Sequence, residues 1–137
     1  EIQGTLGKVQ LKKLDEIIKN NKLRYKALVK NMDKFRLRKI PKGSEIIFDT
    51  LIFFENDKKL RKKIVEYLKK NKFGTKNLPD AIEWHCSYFW KHALTKDQVL
   101  RSKKTKEILE TAIAVPIWLK KSTKEYIKLG KFLKNLK

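Results

Sequence analysis

From Ile2 to Met32 the apolar residues Ile2, Leu6, Val9, Leu14, Ile17, Ile18, Tyr25, Leu28 and Met32 recur mostly every three or four positions. That period brings them onto one face of a helix, so a quarter of the chain is predicted to be one long amphipathic helix, loosened at most at Asn20–Lys22. A helix of about thirty residues is about 45 Å long. It is oversized for a 137-residue chain, and part of its apolar face is expected to pack on a neighbouring domain. The remainder of the chain must complete a core from shorter elements.

Pro41 and Gly43 signal a turn. The Ile- and Phe-rich run Glu45–Phe54 reads as a strand covered on both faces. Asn56 or Asp57 is placed to cap a helix that lines up Leu60, Ile64 and Leu68 and runs to about Lys70. Gly74 and Pro79 frame a loop leading into an aromatic stretch; after it, SKKTKEILE reads as a short helix. AIAVPIW reads as a short strand that Pro116 confines to an edge or an end. Ser122–Glu125 matches a capping box opening a last helix with Tyr126, Leu129, Leu133 and Leu136 inward. The order of elements predicts a single small α/β or α+β domain, helices packed on a few-stranded sheet.

Composition excludes several classes. The longest apolar run, AIAVPIWL, is far too short to cross a bilayer. One cysteine forms no internal disulfide, and the first residues carry no secretory pattern, so a cytoplasmic location is the default expectation. The formal charge of +20 is an electrostatic footprint that a nucleic-acid-binding module would carry. Yet only Arg24, Arg36, Arg38, Arg61 and Arg101 are arginine, the better phosphate and guanine reader, and the lysines are spread over every segment. A solvated lysine surface is the favoured account, with nucleic-acid binding as the alternative. The chain begins at Glu1 and its one methionine is Met32, so it is expected to be a piece of a longer polypeptide.

Asn77–His92 concentrates both histidines, the cysteine and two of the three tryptophans. His85, Cys86 and His92 lack metal-ligand spacing, and neighbours in sequence seldom share a tetrahedral site. His85 beside Cys86 is not the arrangement in which a base takes a thiol proton. Trp84, Tyr88, Phe89 and Trp90 amid lysines suit a stacking platform, a core, or one wall of a concave site. Spacing leaves these three open.

Three stretches carry a resemblance. EIQGTLGKVQLKKLDEI is similar to the segment following Asn-Tyr-Arg-Met in the DegT/StrS family of pyridoxal-phosphate-dependent sugar aminotransferases, with Glu1, Gln3, Gly7, Gln10, Leu11, Leu14 and Asp15 matching. Gly4 and Thr5 stand where that family has two alanines. GTKNLPDAIEWHCSYFWKH resembles one branch of it through Gly74–Ala81, Trp84, His85, Trp90 and His92. AIAVPIWLKKSTKEYI resembles the family's close. The resemblance implies that residues 1–137 are the C-terminal small domain of a fold-type I aminotransferase, with the Schiff-base lysine and the partner of the pyridine nitrogen upstream of Glu1. It implies amino transfer, usually from glutamate, to a keto sugar that is often nucleotide-linked, in a homodimer whose pyridoxal phosphate sits mainly in the large domain. It implies that His85 faces the substrate, with Trp84, Lys76, Asn77, Trp90 and His92 as further substrate contacts, and that the fragment alone is inactive. Cys86, Ser87 and Tyr88 replace a common Phe-Ala-Gly, and Lys91 replaces a common aspartate, so loop shape and substrate charge differ from the branch.

Overall fold

The computed structural model describes residues 2–136 and their side chains from residue 4 onward. Helix α1 (Ile2–Leu11) and helix α2 (Leu14–Val29) lead into strand β1 (Arg36–Leu37), strand β2 (Thr50–Phe54) and helix α3 (Lys58–Lys70). The aromatic stretch holds helix α4 (Ile82–His85) and a 3-10 turn (Ser87–Phe89). Helix α5 (Lys96–Arg101), helix α6 (Lys103–Leu109), strand β3 (Ala112–Pro116) and helix α7 (Thr123–Leu136) complete the chain. The strands form one antiparallel sheet in the order β1-β2-β3, with Phe53 opposite both Leu37 and Ile113. This is the α+β class expected, and among the described residues no helix is long and apolar enough to cross a membrane.

Strand alternation divides the sheet into two faces. Leu51, Phe53, Ile113 and Val115 turn to one side, where α2, α3 and α7 cover them with Leu28, Ile64, Leu68, Tyr126, Leu129 and Leu133. Each such fully buried side chain contributes about 1.5–3 kcal/mol. Gly130 sets the closeness of α7 to α2: a Cβ there would stand 3.0 Å from the Leu28 carbonyl oxygen. The other face, built on Ala112 and Ala114, is covered by Leu78, Ile82 and Leu109. This second layer carries the aromatic stretch.

Two sequence expectations are corrected. The first helix is not continuous: it breaks at Lys12–Lys13, where Lys13 N–H turns to the Gln10 carbonyl three residues back, and Asn20–Lys22 lies inside α2. Asn21 is held there by burial under the 40–48 loop, its amide reaching the Ile47 carbonyl. Ahead of the break, α1 leaves Leu6 and Leu11 58% and 68% exposed. Likewise, the strand expected over Glu45–Phe54 is formed only over Thr50–Phe54, because Phe48 takes φ 55° and packs edge-on against Tyr25. Sequence reasoning missed β1 and α5, and read as loop the aromatic stretch that forms α4 and the 3-10 turn. The α5 signal was Thr95 with Gln98 three residues on, a capping box in the structure.

Other local signals hold. Asp57 caps α3 by accepting from Lys59 and Leu60 N–H, and those bonds keep its carboxyl below the usual range. Pro116 closes β3, which is an edge strand of the sheet. Ser122 and Glu125 cap α7 reciprocally, Ser122 N–H donating to Glu125 Oε2 at 2.7 Å.

The Lys121 ammonium beside Glu125, with the Ser122 donors, holds that carboxyl down to about 2. Its folded value lies below its unfolded one, so the stability it supplies is complete above the ordinary carboxyl range and fades as pH falls toward 2. Wild type is therefore expected to exceed E125Q in denaturant midpoint at neutral pH, with the gap closing in acid. A gap independent of pH would refute the linkage.

Candidate functional site

The loop after α3 begins with Gly74 at φ 68°, a left-handed turn suited to glycine. Thr75 Oγ1 donates to Asp80 Oδ2 at 2.6 Å and Lys69 Nζ to Asp80 Oδ1 at 3.0 Å, pinning both ends of the loop. The Thr75 hydroxyl, with Lys69, holds the Asp80 carboxyl below its usual range. Between them Lys76 N–H donates to the Ala114 carbonyl, and Ala114 N–H donates to the Leu78 carbonyl. Asn77 takes φ 70° so that its neighbours can both reach Ala114. Asparagine tolerates that conformation better than most residues.

This seats Lys76 and Asn77 at the rim of a cleft of about 310 Å³ over the second sheet face. Thr50 and Ile52 are in its floor, Arg38 enters from the end of β1, and His85 borders it from the last position of α4. Arg38 is held there by its own N–H donating to the Ile52 carbonyl at 2.9 Å. The Lys76 ammonium is paired with the Asp49 carboxylate, which also borders the cleft. His85 is exposed, and its imidazole has no hydrogen-bond partner among the described residues.

Trp84, Trp90 and His92 are placed elsewhere. They line a separate open cleft with Glu83, Phe89 and Lys91. Trp84 is 81% exposed; Trp90 is 39% exposed and pinned by its indole N–H, which donates to the Glu83 carbonyl at 3.1 Å. Cys86, between the two clefts in sequence, is buried. Adjacent positions on one short turn of helix thus point to different surfaces, and the six residues read as one wall divide three and three.

The sequence model of the DegT/DnrJ/EryC1/StrS aminotransferase family matches residues 1–133. The chain belongs to this family. None of the curated proteins compared with it matches. Its members are aminotransferases, which act on small molecules and generally depend on pyridoxal phosphate. In this DegT-family chain the residues of the His85 cleft do not build a cradle for that cofactor. Lys76, the lysine of the cleft, is half exposed and committed to Asp49, and among the described residues no Phe, Tyr or Trp borders it. The chemistry left to the cleft is binding and orientation by Arg38, Lys76, Asn77 and His85.

Arg38 and Asp49 were not singled out from the sequence. A signal existed for the arginine: in Arg36-Leu37-Arg38 the leucine packs against the main core, so period two sends both arginines to the opposite face. Arg36 lies over the Phe54 ring at 4.4 Å and Arg38 opens into the cleft.

Proposed function

We propose that the chain is the C-terminal small domain of a pyridoxal-phosphate-dependent aminotransferase that moves an amino group from glutamate to a keto sugar, often nucleotide-linked. The observation that carries the reading is the meeting of His85, Lys76 and Asn77 in one cleft of a chain matched by the family over nearly its whole length. In this reading a large domain holds the cofactor and the reactive lysine, and the small domain binds and orients the substrate. His85 donates to a substrate oxygen, a role open to either protonation state of imidazole through its ring N–H. Lys76 and Asn77 meet acidic or hydroxylated groups at the rim. Trp84, Trp90 and His92 offer an aromatic flank on which a sugar ring can rest. The exposed apolar residues of α1 pack on the large domain, the protein is a cytoplasmic homodimer, and the chain alone is inactive.

The test is release of 2-oxoglutarate from glutamate in the presence of keto sugars and pyridoxal phosphate. The protein that joins this chain to a cofactor-binding domain is expected to release it, and the chain alone is not. Release by neither, across a panel of nucleotide-linked and free keto sugars, would overturn the reading.

A further inference from the structure

We propose that Arg38 is the anion anchor of the His85 cleft and that the ligand it holds there carries a carboxylate. The inference rests on the reading that this cleft faces substrate, and deepens it by naming the recognising group and its charge.

Among the described residues two cations, Arg38 and Lys76, border the cleft, but they are not equivalent. Lys76 faces the Asp49 carboxylate as an ion pair, so that couple adds no net charge to the cleft. The Arg38 guanidinium has no ion pair and no hydrogen bond from its side chain among the described residues. Its backbone N–H is fixed to Ile52, which sets the base of the side chain on the sheet, and its planar fork is left to an incoming group. Such a fork matches a carboxylate with two parallel N–H···O bonds. One uncompensated positive charge suits a monoanion. A phosphate dianion would call for a second cation, and Lys76 is available to it only when it leaves Asp49.

The cleft is therefore tuned by Asp49: the wild-type chain prefers a carboxylate, and removing the Asp49 charge moves preference toward phosphate. The two histidines provide the readout. His85 borders this cleft and His92 the other, so one ring reports binding and the other serves as control.

The experiment is titration of the 137-residue chain with glutamate and, separately, with inorganic phosphate at low ionic strength, following both imidazole side chains by NMR. Glutamate is expected to move His85 and leave His92 in place. R38Q is expected to weaken that binding by about tenfold or more, the scale of a lost charge-assisted pair. D49N is expected to raise phosphate affinity by about tenfold, as one freed charge at short range allows. Glutamate binding equal in R38Q and wild type overturns the inference while the substrate-facing reading of the cleft stands. Tighter phosphate than glutamate binding in wild type overturns it equally. Absence of any His85 shift in wild type overturns it as well, and leaves the broader reading to the 2-oxoglutarate assay.

Discussion

Tyr126→Ala is expected to cost about 3–5 kcal/mol, a large share of the 5–15 kcal/mol that holds a domain of this kind together. The ring is fully buried on α7 and meets Phe73 edge-to-face at 5.3 Å. The hydroxyl donates to the Pro116 carbonyl at 3.1 Å and accepts from Trp118 N–H at 2.7 Å. It thus ties the end of β3 to the first turn of α7, across the bend that turns the chain from sheet to helix. Burial pushes the phenol up to about 12, so it stays protonated and donating across the working pH range. Tyr126→Phe separates the two contributions. It keeps the ring, leaves Trp118 N–H and the Pro116 carbonyl without this partner, and is expected to cost about 1–3 kcal/mol. Urea denaturation of the two variants against wild type checks both values. A phenylalanine variant as damaged as the alanine one would show that the hydroxyl, not the ring, holds the joint.

His85→Ala is expected to act on the other axis. In the protein that joins this chain to a cofactor domain, turnover should fall on the order of 10²-fold, the scale of losing one positioned donor to a developing charge. Stability should change by no more than about 0.5 kcal/mol, because the imidazole is exposed and unbonded among the described residues. Parallel losses of turnover and melting temperature would return His85 to a structural role. Retained turnover with a raised KM would make it a contact equally strong in ground and transition states.

Local signals, where chain neighbours alone decide the geometry, were legible in the sequence. Asp57 ahead of Leu60, Ser122 with Glu125, Gly43 in its turn, and the inward row of Tyr126, Leu129 and Leu133 all depend on residues within a turn or two of one another. Apart from α5, whose local Thr95–Gln98 capping box was passed over, what escaped notice depends on distant partners. Asn21 reads as a helix loosener, yet its burial under the 40–48 loop fixes it within α2. Phe48 continues a strand pattern in sequence, but its ring packs on Tyr25 and its backbone leaves the strand region. The same holds for the site. His85, Lys76 and Asn77 lie close in sequence and were singled out together, whereas Arg38 and Asp49 arrive through sheet pairing. Trp84, next to His85 in the chain, leaves for another surface because one residue of helix turns a side chain through about 100°.

The two hydrogen bonds that seat the Lys76–Leu78 loop on Ala114 have a consequence for colloidal behaviour. With the loop lifted, β3 would present a bare rim of N–H and C=O groups on an uncharged segment, Ala-Ile-Ala-Val, a template for pairing with another copy. Substitutions that unseat it are thus expected to be lost to precipitation before they are lost to unfolding. The surplus of lysine, repelling like molecules, is what delays that fate.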